Sequence, residues 1–487
     1  MLGNIDKLLI SPPPKVWLPP QPIFHPIRYY ITPDLIFSHP QPLTSRKTPP
    51  MRSFLFLLLL LATTPLGAQT GIQAGPMVGY STMQEVQLWV QTTGPGTVQI
   101  EYFDSETPTV TARTAPHLTT KADAYTAKLL ADEVEPGRRY GYRVLLDGQA
   151  QRFAYPLEFQ TQALWQYRND PPPFKVAVGS CFYVNEPRYD RPGKGYGGEN
   201  KIFTAIDAAR PDAMIWLGDN TYLREPDWHS QTGIFHRYTH SRSVPELQPL
   251  LARTHHYATW DDHDYGPNDA DGSWYMKDVT RRAFELFWAN KTTGVPRVPD
   301  GITTMMQWND VHFFMLDNRY FRTPNDCQSC DPVLLGKAQI DWLVEALVES
   351  KASFKLVCVG GQVLNTAKKW ETYNNLAPAE RAYLLGRIEA EEIKNVVFVN
   401  GDRHHSELSS YRNAAGYTVH DLTASPLTAG VGRPQEEVNR LRVPGTLVVE
   451  RNFGLLEFSG PRKARVLTVG IYDNSGKQLW ERTIEQE

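Results

Sequence analysis

Five consecutive residues, Trp260-Asp261-Asp262-His263-Asp264, set three carboxylates and an imidazole at the end of a β-favouring run, His256 to Trp260. Charge gathered at the end of an apolar strand is costly unless something compensates it, and a metal ion is the usual compensation. Two further clusters share that setting. Gly218-Asp219-Asn220-Thr221-Tyr222 follows the apolar run Asp212 to Leu217, and Gly401-Asp402-Arg403-His404-His405 follows Asn395 to Val399. A fourth run, Phe174 to Cys181, ends in Gly-Ser-Cys.

Each residue type brings its own chemistry. A carboxylate such as Asp219 can bridge two cations. Tyr222, three residues on, can place a phenolate on the same ion, a ligand that suits ferric iron far better than magnesium. Cys181 offers a thiolate, although a lone cysteine is more often a buried free thiol. Asp262 and His263 add a carboxylate and an imidazole. Their bland reading is a solvated acidic turn, which the apolar strand before them argues against. Asp402 and His404 are two apart, so an extended chain would put both on one face. His405 would then point away, as a supporting or surface residue. Asp264 is placed to orient His263, and spacing assigns Asp261 no role.

Positioning these clusters requires strands that end together. Strand, helix and strand alternate from Phe174 onward: helices are expected at Ile202 to Ala209, Leu335 to Val348 and Ala377 to Ala390, and strands at Val311 to Leu316 and Phe354 to Val359. That alternation predicts a layered α/β domain over residues 171–487, whose ligands collect beyond the carboxyl ends of the strands. Thr446 to Glu450, Phe453 to Phe458 and Ala464 to Tyr472 are expected as edge strands. Before the linker Asn169-Asp170-Pro171-Pro172-Pro173, short alternating runs such as Val86 to Gln91, Thr97 to Tyr102 and Tyr140 to Leu145 predict a small all-β sandwich over residues 69–168.

With 487 residues, 50 basic and 53 acidic, the chain can bury a large core and lacks the basic balance of a nucleic-acid-binding protein. Met51-Arg52-Ser53, an apolar run through Leu61, and small residues to Ala68 make a secretory signal of the Sec type over residues 51–68. The run is too short for a comfortable membrane span, so no span is expected in the mature chain. The expectation is export to the periplasm or beyond, with Gln69 at the new N-terminus and the Pro-rich residues 1–50 a mis-assigned extension. The bland alternative is a disordered head before a membrane anchor. In an exported chain Cys327 and Cys330 are expected to form a local disulfide, since zinc would need a second ligand pair. Cys358, inside an apolar strand, belongs to the core.

Cys181, Gly218-Asp219-x-x-Tyr222, Trp260 to Asp264 and Gly401-Asp402-x-His404, with Asp317-Asn318-Arg319 and Ala424-Ser425-Pro426, resemble the alkaline phosphatase D (PhoD-like) metallophosphoesterases, relatives of the purple acid phosphatases. The likeness covers roughly residues 171–430 and implies a calcineurin-like α/β/β/α catalytic domain. It implies ferric iron on Cys181, Asp219, Tyr222 and His404. Asp219 would bridge to a second site completed by Asp262 and Asp402, whose oxygen donors favour calcium, other divalent metals being admissible. His263 would be the catalytic proton donor. Arg319 is a candidate phosphate-binding residue or an ordinary surface arginine, and Asn268 a candidate oxygen donor in a loop, Tyr265 to Tyr275, that roofs the pocket. Relatives carry a Val-x-x-His ligand where this chain has Gly361-Gln362-Val363. The implied activity is hydrolysis of a small-molecule phosphate monoester or diester by a metal-activated hydroxide. The competing reading is a catalytically inactive module that keeps calcium sites for stability or adhesion. Substrate and oligomeric state stay open.

Overall fold

Period-two runs pair into three sheets in the computed structural model, which describes residues 70–487; the expected leader and extension lie outside these residues. The largest sheet has nine strands, in the order Gln478–Glu485, Val466–Asp473, Asn452–Ser459, Phe174–Gly179, Ala213–Leu217, His255–Thr259, Ile72–Ser81, Val86–Thr92 and Thr126–Ala131. A six-stranded sheet runs Thr304–Trp308, Val311–Met315, Phe354–Val359, Val396–Asn400, Thr418–Thr423 and Glu407–Arg412. The strands that lead to the chemistry are parallel in both: Phe174–Gly179 with Ala213–Leu217 and His255–Thr259, and Val311–Met315 with Phe354–Val359, Val396–Asn400 and Thr418–Thr423.

Alternation along each strand assigns the layers. Val176, Val178, Ile215 and Leu217 of one sheet share a core with Phe313, Met315, Leu356 and Cys358 of the other. Ala177, Met214 and Trp216 face outward, onto a core with residues of the helices Ile202–Ala208, Gln231–Arg242 and Lys277–Phe287. Val357 and Val359 likewise face Lys337–Glu349 and Pro378–Ala390. The result is helix, sheet, sheet, helix. Each buried aliphatic side chain contributes about 1.5–3 kcal/mol, so the inner layer holds the two sets of strand ends in register with each other.

The sheet does not stop where the expected sandwich ends. Val78 of Ile72–Ser81 pairs parallel with His255, so Ile72–Ser81, Val86–Thr92 and Thr126–Ala131 extend the nine-stranded sheet while packing against the third sheet through Val78, Leu88, Val98, Ile100 and Tyr142. Tyr80 N–H donates to Ala289 O at 3.0 Å and Trp89 Nε1 to Leu286 O at 2.7 Å. The pairing gives the ladder groups of two sheet edges partners, which removes the liability of open edges. Among the C-terminal runs, Asn452–Ser459 and Val466–Asp473 are strands, and the first pairs antiparallel with Phe174–Gly179. Thr446 to Glu450 is not a strand; it makes one isolated bridge, Ser406 with Val448. Cys327 and Cys330 are disulfide-bonded, and Cys358 is fully buried.

Candidate metal centre and active site

Turns at the carboxyl ends of these strands carry the polar residues. The turns are tied to one another: Cys181 N–H donates to Gly218 O at 3.3 Å, Phe182 N–H to Asp219 O at 2.8 Å, and Gly401 N–H to Gly360 O at 2.9 Å. Four of the expected ligands have left-handed backbone: Cys181 (φ 59°), Asp219 (51°), Asp402 (63°) and His404 (56°). Such conformations in non-glycine residues cost on the order of 1–3 kcal/mol each, persist only where the surroundings over-determine them, and cluster at functional sites. Gly218 (φ 97°) packs so closely that a Cβ there would lie 2.7 Å from Asp261 Cβ. Its smallness lets two strand ends meet, rather than admitting a ligand.

The first group joins one ligand atom each from Cys181, Asp219 and His404, all within 4.8 Å of one another. Tyr222 Oη donates to Asp219 Oδ2 at 3.0 Å and lies 3.3 Å from His404 Nε2, so the phenol belongs to the same set. Tyr196 Oη lies 3.1 Å from His404 Nδ1, a partner that orients the ring and leaves Nε2 facing the group. Ser425 Oγ lies 3.2 Å from Cys181 Sγ. The second group is Asp219, Asp262 and His263. Asp219 is common to both, and the His263 and Tyr222 rings pack with centroids 4.3 Å apart, tilted by 30°.

The third group is Asp261, Asp262 and Glu371. Glu371 lies in an irregular loop and carries no sequence signal that marks it. Arg319 is fully buried, which excludes the surface reading, and its nitrogens are committed to Asp261, Glu371, Asp262 and the Ala270 carbonyl. The guanidinium is thus turned to these acids and away from the role of a surface cation. Arg322 also pairs with Glu371, and Asn318 Nδ2 donates to Asp261 Oδ1 at 2.8 Å.

Other residues depart from expectation. Asp264 accepts from the backbone N–H groups of Asn220 and Asp261, both at 3.0 Å, so it fixes two turns instead of orienting His263. Asp402 and His404 do not share an extended face, because their left-handed backbone coils that segment. The Asp402 carboxyl falls in none of the three groups; its main-chain carbonyl lies 3.6 Å from Cys181 Sγ. His405 is wholly buried, near Glu407. Gln362 donates to Glu407 and Thr423 and accepts from Arg403, away from the ligand groups. Asn268 is exposed, while its neighbour Asp269 donates N–H to Asp262 Oδ2 at 2.8 Å.

Electrostatics separates the groups. Burial, then Asp262 and Asp261, push the Asp219 carboxyl far above the usual carboxylate range. Burial, then Asp219, does the same to the Cys181 thiol and the Tyr222 phenol. Burial, then His263, pushes His404 down to about 4. Burial also works against ionised Asp262 and Glu371, but His263 and Arg319 hold Asp262 low, and Arg319 and Arg322 hold Glu371 low. The anionic donors around Asp219 therefore lack a cation that the protein itself provides. A buried, mixed sulfur, oxygen and nitrogen donor set in that condition fits metal ions.

The sequence model of PhoD-like phosphatases matches residues 177–458, the span that carries all three groups. The chain belongs to the PhoD-like phosphatase family. A domain of unknown function matches residues 69–163. Alkaline phosphatase D of Bacillus subtilis is 23% identical over 337 residues, 59% of this chain and 54% of that protein. A tRNA-specific 2-thiouridylase of Pseudothermotoga lettingae is 27% identical over 137 residues, 28% of this chain and 37% of that protein. The chain thus spans about half the length, or less, of these curated relatives. A solved structure of PhoD superposes with a TM-score of 0.68 at 16% identity, covering 85% of this chain and 92% of that one. The likeness establishes the α/β/β/α fold. Among the described residues no helix is long and apolar enough to cross a membrane.

Proposed function

We propose that this protein is an exported, metal-dependent hydrolase of phosphate esters. The observation that carries the reading is the pair of ligand groups that share Asp219, one with Cys181 and His404 and the other with Asp262 and His263. Ferric iron is assigned to Cys181, Asp219, Tyr222 and His404, and a harder second ion, calcium or another divalent metal, to Asp219 and Asp262, with the Asp402 carboxyl, which lies outside those groups, as the further candidate donor. Bound there, such ions supply Lewis acidity, acidifying water and offsetting the charge of the phosphoryl group.

The chain's own residues do the remainder. Among them His263 is assigned to move a proton, a reading supported by its partial exposure, by a buried Nδ1 that has no protein partner and by an Nε2 that lies 4.0 Å from Asp262. Protonation of the leaving alkoxide is the role assigned to it. Arg319 acts through Asp261, Asp262 and Glu371, holding three acids in place. Tyr196 and Ser425 set the His404 ring and the Cys181 sulfur. Export rests on the Met51 to Ala68 leader.

The test is elemental analysis and absorption spectroscopy of the full chain purified without chelators, with turnover of nitrophenyl phosphate mono- and diesters. Iron, a phenolate-to-iron absorption band abolished in Tyr222→Phe, and ester hydrolysis are expected, with Gln69 or a near neighbour at the N-terminus of secreted protein. Colourless, folded, inactive protein that binds only calcium would decide for the non-catalytic module.

A further inference from the structure

Arg224 stands two residues after Tyr222, and the assigned reaction gives it no role. Its backbone is pinned: its N–H donates to Asp227 Oδ2 at 2.8 Å, and its carbonyl accepts from Asp227 N–H at 2.8 Å. The preceding residue ties the segment to the site, because Leu223 N–H donates to the His263 carbonyl at 3.0 Å. The side chain lies over the Tyr183 ring, with Cζ 5.8 Å from its centroid. Tyr183 packs in turn with Cys181 and Tyr222 in one buried cluster, its ring 5.0 Å from that of Tyr222. Arg224 therefore stands beside the wall that Tyr183 and Tyr222 give the first ligand group.

The state of this guanidinium differs from that of Arg319. Only 11% of the Arg224 side chain is exposed, and its Nε is buried without a partner. Its Nη1 and Nη2, by contrast, reach solvent and make no hydrogen bond to the described residues. The ion-pair partner it has among those residues is Glu225, 3.5 Å away, half exposed and shared with Arg191. A pair of that kind holds weakly. A largely desolvated cation with free donors suits an anionic oxygen, and its planar fork matches a phosphoryl group.

We propose that Arg224 is a substrate-binding residue, whose Nη1 and Nη2 donate to non-bridging oxygens of the phosphoryl group, Glu225 giving way as the ester arrives. This rests on the hydrolase reading above and supplies the phosphate-binding cation that Arg319, held by acids, does not.

The test is competitive inhibition by orthophosphate of 4-nitrophenyl phosphate hydrolysis, on the metal-replete full chain. Arg224→Met should weaken inhibition by about 10- to 100-fold and raise KM by a similar factor, with iron content and the phenolate band unchanged. Arg224→Lys keeps the charge without the fork and should restore part of both. Glu225→Gln releases the guanidinium and should tighten inhibition by about 2- to 5-fold, a gain that a merely structural arginine does not predict. An inhibition constant that Arg224→Met leaves unchanged overturns the assignment while the hydrolase stands. Should Arg224→Met lose iron or fail to fold, Glu225→Gln decides: tightened inhibition keeps the assignment, and an unchanged constant removes it. Should the native chain cleave no ester, the hydrolase reading falls, and calorimetry with orthophosphate decides Arg224 alone. Weaker binding to Arg224→Met than to the native chain keeps it; equal binding removes it.

Discussion

Two acid clusters share Asp262 and answer the same physical problem differently. Around Asp261 and Glu371, the chain brings its own cations: Arg319 and Arg322 are buried with the acids and hold Glu371 ionised. Around Asp219, no side-chain cation is supplied, and burial with neighbouring carboxylates drives the acid far from its usual range. One cluster is largely answered within the protein, although burial still lifts the Asp261 carboxyl to about 6. The other is built for something the polypeptide does not contain. Density of acidic residues alone therefore does not mark a metal site; the missing counter-charge does.

Breaking the self-sufficient cluster should have the largest effect on folding. Arg319→Met leaves Asp261 as a buried charge without its cation and Glu371 with Arg322 alone, and should cost about 3–5 kcal/mol, read from urea unfolding. A loss below about 1 kcal/mol would mean that the pairs behave as surface salt bridges. Asp219→Asn should act in the opposite sense. Metal content and turnover fall, the latter by on the order of 10²–10³-fold or more, while metal-free protein is no less stable than the native chain, because a crowded carboxylate has gone. Equal destabilisation of metal-free protein by both variants would erase the distinction.

The other end of the same strand sharpens the comparison, because there burial outweighs every neighbouring charge and hydrogen bond. His255 and His256 open the strand that leads to Asp261; both are fully buried, and burial pushes them down to about 4 and about 3. A base with a depressed folded pKa binds fewer protons than its unfolded form between about 6.5 and the folded value, so stability falls as pH drops through that window. His255 alone should contribute a loss of roughly 3 kcal/mol between about pH 6.5 and pH 4. Unfolding midpoints of His255→Gln across that window should show a flatter slope than the native chain, and an unchanged slope would assign the acid sensitivity elsewhere. The smallest effect is expected at the disulfide. Cys327→Ser with Cys330→Ser opens a ring of only a few residues and should cost no more than ~2 kcal/mol, measured by thermal unfolding.

Much of this architecture is readable from residue patterns. Phe354 to Val359 is a strand with the expected bounds, and Ile202, Lys337 and Pro378 begin helices within two residues of where periodicity puts them. Those elements are set by local alternation and amphipathic spacing. The helices Gln231–Arg242 and Lys277–Phe287 are absent from that reading. The first has buried arginines, Arg237 and Arg242, on its inner face, so its sequence does not alternate cleanly between apolar and polar. Thr446 to Glu450 shows the converse: a β-favouring run with no ladder partner stays irregular.

What the sequence by itself determined was the set of strand ends and the residue types on them. Apolar runs that stop at Asp, Cys or His can be seen one at a time, and parallel strands oblige their carboxyl ends to lie on one side. Only the tertiary structure decided which charges are answered. Glu371 and Arg319 meet Asp261 from segments more than fifty residues away, and the coiling of Asp402 to His404 overrides the extended spacing that would pair them. Sequence spacing measures distance along a chain, whereas charge compensation depends on distance through space, and only the packed sheets convert one into the other.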